Sequence, residues 1–282
     1  MKYVLSFSGG KDSTFLLLEL IRRKYPLDEV HFFDTGWEYP AMYRHIEKCK
    51  KICEENGIKF VTLHPKKSFD YLMFEHITKK GEYGYSWCGR MCRWGTKEKA
   101  DVLNENAKRN EGNIIYIGIA ADEPERIAKN NAPFKRLPLV EWGIVEAACL
   151  QGCYEAGFDW EGMYEYLDRL SCKFCRNKNL KELQNIRKHY PEVWQELKEY
   201  QSKTRFPYKP ADATYISGLT VQDLEKRFDL EEERQAQGLS ITNREFYNEL
   251  KKRLGIPPKK VPKKVPKKVD EAQISIFDTY QM

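Results

Sequence analysis

The sequence predicts an α/β fold, in which a doubly wound parallel sheet is followed by a helical, cysteine-bearing second half and a disordered C-terminal tail. Short apolar segments alternate with longer segments of helical periodicity, as in successive β–α–β units. A glycine-rich turn joins the first apolar segment to the first helical one, and cysteine pairs recur among the helical segments after residue 140. Near the C-terminus a Lys/Pro repeat replaces this pattern and cannot bury a core.

The composition limits the classes of protein to which the chain can belong. The 282 residues are 41% hydrophobic and 13% aromatic, which is typical of a globular chain. No apolar run reaches the roughly 20 residues of a membrane helix, and the first strand follows the N-terminus directly, so we expect a cytoplasmic protein without a membrane partner. The net charge of +6 comes from residues 257–269, because 42 basic and 42 acidic residues remain elsewhere. Global charge therefore gives no argument for nucleic-acid binding.

The first strand, around Tyr3–Leu5, passes into a helix through the segment SFSGGKDST at residues 6–14. Gly9 and Gly10 allow a tight turn with inward-pointing amides, and the start of the helix adds unpaired N–H groups and the positive end of its dipole. The pattern predicts an anion cradle, which we call the anion loop (Ser8–Ser13). Its spacing differs from the G-x-x-x-x-G-K-[ST] P-loop, and a glycine turn without a ligand is the alternative interpretation.

Three further strands are predicted after the first helix. The second strand, Glu29–Phe33, ends at Asp34–Gly36, and the strand–helix–strand unit so formed is expected to be parallel and right-handed. A helix at Ala41–Asn56 leads to a third strand at Lys59–Leu63, and a later strand is predicted at Ile114–Ile117. Because ligands in open α/β sheets bind beyond the carboxyl ends of strands, the loops after the first and second strands should share one crevice.

Four stretches, in order, resemble the phosphoadenosine phosphosulfate (PAPS) reductase family, a branch of the PP-loop, adenine nucleotide alpha-hydrolase-like superfamily. The likeness covers residues 2 to about 203. In the third stretch Ala120 replaces a usual arginine and Pro124 a usual serine, so a sulfonucleotide contact is not carried over there. The four stretches are the SGGKDS loop at Ser8–Ser13, the DTG-x-x-x-P element at Asp34–Pro40, the element at Gly118–Arg126, and the R-x-P-L-x-x-W element at Arg136–Trp142.

The resemblance implies a bound adenine nucleotide, either ATP or a sulfonucleotide (PAPS or APS). By this resemblance Lys11 neutralises phosphate charge, Asp12 helps to hold Mg²⁺ and Ser13 bonds a phosphate oxygen. Arg126 is an expected phosphate or sulfate partner, so these four are the implied catalytic residues. The implied nucleotide-binding residues are Ser8, Gly9, Gly10, Lys11, Asp12 and Ser13 at the phosphates, Phe33 and Thr35 at the adenine and ribose, and Asp34, Gly36 and Gly118.

Eight cysteines in a chain expected in the cytoplasm favour metal or redox groups over structural disulfides. The pair Cys172 and Cys175 has the C-x-x-C spacing of a zinc or iron–sulfur half-site at a helix start. The best candidate for the other half is Cys88 with Cys92, whose basic neighbours favour thiolates. The resemblance to assimilatory reductases implies that these four bind a 4Fe–4S cluster, with Zn²⁺ as the alternative metal and four reduced core cysteines as the alternative without metal.

The remaining cysteines bear on the reaction. Cys49/Cys53 and Cys149/Cys153 are spaced i, i+4 and are interpreted as buried, apolar positions on helix faces. Sulfonucleotide reductases use a cysteine nucleophile in a C-terminal tail, and this sequence has no cysteine after Cys175. With reduction disfavoured in this way, the resemblance to the PP-loop superfamily implies an adenylating Mg-ATP pyrophosphatase that acts in sulfur transfer or nucleic-acid modification. A sulfonucleotide reductase and a non-catalytic nucleotide-binding adaptor recruited through its tail stay open as alternatives.

The chain is predicted to divide into a PAPS-reductase-like domain at 1–203, a helical appendage at 204–256, a Lys/Pro linker at 257–269 and a tail at 270–282. The first region should end in one amphipathic helix that follows Cys175 and stops near Glu199. In the appendage one helix should begin after Ser217–Thr220 and another at a capping box, Thr242–Glu245. The charged run between them, Glu231–Gln237, is interpreted as a solvated face.

The tail contains a short motif on an extended spacer. Gln273, Ile276 and Phe277 resemble the Q-x-x-[LI]-F peptides that dock on bacterial sliding clamps by offering apolar anchors. A sliding clamp and a nucleic-acid substrate are therefore expected partners beside the adenine nucleotide. The alternative is a tail that packs back on its own domain.

Overall fold

The computed structural model describes residues 1–77, 79, 81, 83–87, 92, 97–99, 101–103, 105, 112–204, 214–216 and 218–257. The predicted linker from residue 258 onward, the tail with Gln273, Ile276 and Phe277, and the expected metal ligand Cys88 lie outside these residues. The chain divides into two compact units, Met1–Glu225 and Lys226–Met282. This division falls after Glu225 instead of residue 203, and the four predicted regions stay predictions.

A five-stranded parallel sheet organises the described part of the first unit, which confirms the α/β prediction. The order across the sheet is β3-β2-β1-β4-β5, and every neighbouring pair is parallel. Since β2 and β4 lie on opposite sides of β1, the strand order reverses beside β1, where open sheets bind ligands. The strands are β1 (Tyr3–Phe7), β2 (Glu29–Phe33), β3 (Lys59–Leu63), β4 (Ile114–Ile117) and β5 (Lys135–Arg136).

Helices connect and cover the strands. Strand β2 is buried along its whole length, and α1 buries Leu16, Leu17 and Leu20, as expected of a sheet covered by helices. None of the helices among the described residues combines the length and apolar character needed to cross a membrane. The helices are α1 (Lys11–Arg22), α2 (Pro40–Glu55), α3 (Pro124–Ala128), α4 (Pro138–Glu141), α5 (Glu146–Glu155), α6 (Leu180–His189), α7 (Pro191–Lys203), α8 (Val221–Ala236) and α9 (Arg244–Arg253), with a π-helical turn at Tyr71–Glu75 and a 3₁₀ segment at Trp160–Glu165.

The single helix predicted after Cys175 is wrong, because the structure has two helices, α6 and α7. Tyr190 lies between them with φ −132° and ψ 60°, outside the helical region. Pro191 lacks an N–H and disfavours a helical conformation in the residue before it, so it ends α6 and opens α7. The helices nevertheless cover the predicted range and extend it to Lys203.

The described part of the second unit is a helical pair with its own small core. Leu230 of α8 packs with Phe246 and Leu250 of α9. The charged run at residues 231–237 is a solvated face at five of its seven residues, as predicted, but Glu231 and Arg234 are buried. Each finds an ion pair, Glu231 with Arg227 and Arg234 with Glu249.

The start of α9 lies close to its predicted position. Asn243 caps the helix by accepting a hydrogen bond from Phe246 N at 2.9 Å, so the cap lies one residue after the predicted Thr242. Both residue types accept such bonds, and asparagine is among the strongest N-caps.

Candidate nucleotide site and cysteine centre

The anion loop lies where β1 ends and α1 begins, at the reversal of strand order. Gly118, the first residue after β4, backs directly onto this loop. A Cβ atom on Gly118 would lie 2.9 Å from Ser13 N and 3.1 Å from the carbonyl carbon of Asp12. Only glycine allows this approach of two backbones, so Gly118 fixes the loop against β4.

Hydrogen bonds hold the anion loop in a closed turn. Gly9 has φ +77°, the left-handed conformation that the turn requires. Ser8 N donates to Ser13 Oγ at 3.2 Å, and Ser13 Oγ donates to Gly10 O at 3.0 Å. Thr14 N closes the first turn of α1 onto Gly10 O at 3.0 Å. The Ser13 hydroxyl is thus built into the turn.

A segment distant in sequence clamps the same loop. Trp160 Nε1 donates to Gly9 O at 2.8 Å, and Lys11 N donates to Tyr164 Oη at 2.8 Å. Trp160 and Glu161 have φ values of +49° and +55°, which are unfavourable for side-chain-bearing residues. The 3₁₀ segment therefore accepts backbone strain while it positions Trp160 and Tyr164 on the loop.

Lys11 carries the positive charge of the site. Its side chain is buried, its Nζ is bonded to Glu146, and Asp12 Oδ2 lies 3.6 Å away. Burial lowers the pKa of Lys11, but the hydrogen bond to Glu146 and the charge of Asp12 outweigh it, so the pKa is raised overall. The ammonium group therefore stays charged at the N-terminus of α1.

Asp12 has an unused oxygen at the same place. Its Oδ1 is buried and has no hydrogen-bond partner among the residues described. Burial raises the pKa of Asp12, the charge of Lys11 lowers it, and the nearby carboxylates of Glu146 and Glu123 raise it further. A buried carboxylate oxygen without a donor suits a hard cation with oxygen ligands, so the site fits Mg²⁺.

The loop after β2, which we call the β2 loop (Asp34–Tyr39), borders the crevice on the other side of β1. Asp34 Oδ1 accepts hydrogen bonds from Gly36 N at 2.8 Å and Tyr43 Oη at 2.9 Å, and Thr35 Oγ1 donates to Glu38 at 2.6 Å. Asp34 and Thr35 thus shape the loop. Phe33 is buried within β2.

Arg126 lies on the short helix α3 and its side chain is half exposed. It forms an ion pair with Glu123, which also accepts a hydrogen bond from Ala120 N at 3.1 Å. The positive charge of Arg126 lowers the pKa of Asp12, which puts it within electrostatic range of the anion loop. The predicted nucleotide-site residues thus line the ends of β1, β2 and β4, and their binding roles stay predictions.

The structure places Cys172 and Cys175 on a turn, which we call the cysteine turn (Cys172–Cys175), with Cys175 N donating to Cys172 O at 3.0 Å. The expectation that the pair opens a helix is wrong, because α6 begins only at Leu180, capped by Asn179. A hydrogen bond between the two thiols raises the pKa of Cys172 and lowers that of Cys175. The charge of Cys92 also raises the pKa of Cys172, so the third predicted ligand is within electrostatic range.

The region around the cysteine turn has some, but not all, of the features of a metal site. Among the described residues, which omit Cys88, no group of three or more histidine, cysteine or acidic side chains is arranged to hold a metal ion. Two buried polar atoms near the cysteine turn, Tyr39 Oη and Lys178 Nζ, nevertheless have no hydrogen-bond partner in the part of the chain that the structure describes. Two thiols at C-x-x-C spacing and unpaired donors around them fit a thiolate-bound metal in their chemistry.

The β2 loop joins the two sites physically. Lys173 N, inside the cysteine turn, donates to Trp37 O at 2.7 Å. The Trp37 ring packs edge-on against Phe174 with centroids 4.5 Å apart. Burial raises the pKa of Glu38, and the charge of Cys175 raises it further, while the Thr35 hydroxyl opposes both. The cysteine turn is therefore held beside the loop that borders the nucleotide crevice.

Comparison with known proteins agrees with this geometry. Residues 2–138 match the family described as the phosphoadenosine phosphosulfate reductase domain. This part of the chain belongs to the PAPS reductase domain family. The PAPS reductase domain thus contains the anion loop, the β2 loop and Arg126, and the cysteine turn follows it.

The chain also resembles three curated proteins. It is 26% identical over 226 residues to an uncharacterized protein of Methanocaldococcus jannaschii, which covers 71% of this chain and 42% of the relative. It is 33% identical over 91 residues to a tRNA(Ile)-lysidine synthase of Chlamydia abortus, covering 32% of this chain and 28% of that enzyme. The corresponding Chlamydia caviae enzyme is 44% identical over 62 residues, 22% of this chain and 19% of the enzyme. The chain thus spans less than half the length of these relatives.

The other four cysteines flank α1 beneath the anion loop. Cys153 Sγ lies 3.4 Å from Lys11 O, and Cys49 Sγ lies 3.4 Å from His45 Nε2. Burial raises the pKa of each of these thiols, so they stay protonated, in agreement with their interpretation as apolar core positions. The four are Cys49, Cys53, Cys149 and Cys153.

Several residues of the PAPS reductase domain and its continuation have no signal in the sequence. Trp160, Tyr164 and Glu146 contact the anion loop from more than a hundred residues away. Lys178 follows the cysteine turn, and its sequence position predicts an ordinary exposed lysine before a helix. A lysine or tyrosine with no regular spacing to the motif gives no pattern that could have found it.

Proposed function

We propose that this protein is an enzyme that binds Mg·ATP at the anion loop, transfers adenylate to an acceptor and releases pyrophosphate. The observation that carries the proposal is the juxtaposition of charged Lys11 with the buried, unpaired Asp12 Oδ1 at the N-terminus of α1. The positive charge of Lys11 is complementary to the negative charge of a polyphosphate. The unpaired Asp12 oxygen is a suitable ligand for the cation that accompanies the polyphosphate. Membership of the PAPS reductase domain family supports an adenine nucleotide as the ligand.

We assign the following roles to the residues of the proposed site. The amides of the anion loop and the dipole of α1 bind the β and γ phosphates. Lys11 stabilises the negative charge that develops on the leaving pyrophosphate, and Asp12 Oδ1 holds Mg²⁺. Mg²⁺, when bound, neutralises phosphate charge and orients the phosphates for in-line attack. Ser13 keeps the turn closed, and Arg126 contributes positive charge at the rim.

The acceptor is proposed to be a nucleic acid, and the chemistry to include sulfur transfer. Two of the relatives are named tRNA(Ile)-lysidine synthases. The hydrogen bond from Lys173 to Trp37 holds the cysteine turn, as part of a proposed 4Fe–4S or zinc centre, beside the nucleotide crevice. An acceptor adenylated there would lie close to thiolate chemistry. A sliding clamp is the proposed partner of the tail.

The experiment is pyrophosphate release from ATP, with Mg²⁺, in the presence and absence of tRNA and of DNA. Lys11→Met should reduce release by about 100- to 1,000-fold, the usual loss when a group that stabilises transition-state charge is removed. Lys51→Met, on the exposed face of α2, is the matched control and should leave release unchanged. Equal release by the Lys11 variant and the control would refute the assignment of the loop.

Two other results would replace the proposal. Thiol-dependent sulfite release from a sulfonucleotide, without pyrophosphate release from ATP, would make the protein a reductase, as the family description suggests. Tight ATP binding without turnover on any acceptor would favour the adaptor.

A further inference from the structure

Buried, unpartnered polar atoms collect at the cysteine turn. Lys178, Tyr39 and Glu182 expose 1%, 2% and 3% of their surface, yet Lys178 Nζ, Tyr39 Oη and Glu182 Oε1 have no hydrogen-bond partner within the described part of the chain. Burying a charge or a hydroxyl without a partner is costly, so such atoms usually mark the place of a bound group.

Two of these atoms, Lys178 Nζ and Tyr39 Oη, lie within electrostatic range of the two cysteines. Lys178 Nζ lies 5.8 Å from the centroid of the Tyr39 ring. Glu182 Oε1 lies 4.0 Å from Lys178 Nζ and is therefore beyond hydrogen-bond distance. The negative charges of Cys172 and Cys175 act on both Lys178 and Tyr39. The ammonium group and the hydroxyl thus share one buried region with the thiols.

A thiolate-bound metal at the cysteine turn would explain by its charge why a lysine is buried here. Four thiolates around Zn²⁺ carry a net charge of −2, and the same four around an oxidised 4Fe–4S core also carry −2. A buried dianion of either kind requires nearby positive charge and hydrogen-bond donors. Lys178 offers the charge and Tyr39 a hydroxyl donor. Lys99, on which the charge of Cys172 also acts, is a second cation in range.

We propose that Lys178 and Tyr39 are positioning residues for a dianionic, thiolate-bound metal centre on the cysteine turn. Lys178 supplies the counter-charge, and Tyr39 donates a hydrogen bond to a ligand sulfur or to a sulfide. The inference rests on the metal centre of the proposed function and is independent of ATP turnover.

The test compares metal retention in full-length variants purified without oxygen. Iron, sulfide and zinc are measured per chain, followed by loss of metal to a chelator. Lys178→Met should weaken retention by about 10- to 100-fold, the range for loss of an outer partner of a metal ligand. Tyr39→Phe should weaken it in the same direction by a smaller factor. Lys181→Met, an exposed lysine of α6, is the matched control and should retain metal like the unaltered protein.

Thermal unfolding of the metal-free protein is a second measurement, and in it Lys178→Met should have a favourable effect instead of a harmful one. There Lys178→Met removes a buried ammonium group that lies 4.0 Å from Glu182 Oε1 and has no hydrogen-bond partner among the described residues, so it should raise the melting temperature, even though it weakens metal retention. Metal retention equal to that of the Lys181 control would overturn the proposal. A lowered melting temperature in the metal-free state would also overturn it, because Lys178 would then support the fold through Glu182. Protein without iron or zinc would overturn it as well, while pyrophosphate release would still test the anion loop separately.

Discussion

Replacing Tyr164 with phenylalanine tests how the anion loop is held before a ligand binds. Tyr164 Oη accepts a hydrogen bond from Lys11 N at 2.8 Å, so it occupies an amide that a phosphate oxygen would use. A phosphate must displace this hydroxyl before it can bind that amide. Tyr164→Phe removes the competitor and leaves the ring in place. We therefore expect the variant to bind ATP and pyrophosphate more tightly than the unaltered protein.

The magnitude follows from the bond that is lost. A neutral hydrogen bond contributes about 0.5–1.5 kcal/mol net, so the dissociation constant should fall by about 2- to 12-fold. The protein without ligand should lose a similar amount of stability, since Lys11 N is left without its partner. Calorimetric titration with Mg·ATP and with pyrophosphate measures the first effect, and urea unfolding measures the second. Tyr154→Phe, a partly exposed tyrosine of α5, is the control.

Two outcomes would refute this reasoning. Weaker binding by Tyr164→Phe would mean that the hydroxyl contacts the bound nucleotide directly. Unchanged binding together with reduced stability would mean that Tyr164 and a phosphate use different donors of the loop, in which case Tyr164 is a structural clamp like Trp160.

Two further predictions concern Asp12 and the tail. Burial raises the pKa of Asp12 above the ordinary value for aspartate. The ionised carboxylate is therefore less favourable in the folded, ligand-free protein than in the unfolded chain. The protein should lose stability as the pH rises from the ordinary aspartate pKa through the raised one. Asp12→Asn should therefore raise the melting temperature at pH 7 more than at pH 3 and abolish Mg²⁺-dependent ATP binding; a lower melting temperature at pH 7 would contradict this. For the tail, deletion of residues 273–277 should lower affinity for a sliding clamp at least tenfold in a direct binding assay, whereas unchanged affinity would exclude docking by Gln273, Ile276 and Phe277.

The β2 loop connects the nucleotide crevice with the cysteine turn. The β2 loop uses Asp34 and Thr35 to shape one wall of the nucleotide crevice and the carbonyl of Trp37 to hold the cysteine turn. A change at one site therefore has a short covalent and hydrogen-bonded route to the other. Substitutions of Trp37 would disturb both sites together.

The sequence alone determined the elements whose information is local. Strands β2, β3 and β4 match their predicted bounds, because short apolar runs between turn residues specify a buried strand. The anion loop follows from two glycines between a strand and a helix. The break at Pro191 was also local in origin, although the amphipathic pattern on both sides of it favoured one continuous helix.

Only the tertiary structure decided which distant residues complete the sites. Trp160 and Tyr164 reach the anion loop through the 3₁₀ segment, and Lys178 is buried at the cysteine turn although its sequence position suggests exposure. The charged run at residues 231–237 is predicted to be solvated, yet Arg234 is buried and forms an ion pair with Glu249 of α9. The physical reason is common to all of them. Burial and hydrogen bonding between segments far apart in the chain depend on how the helices pack, and this leaves no periodic signal in the residues themselves.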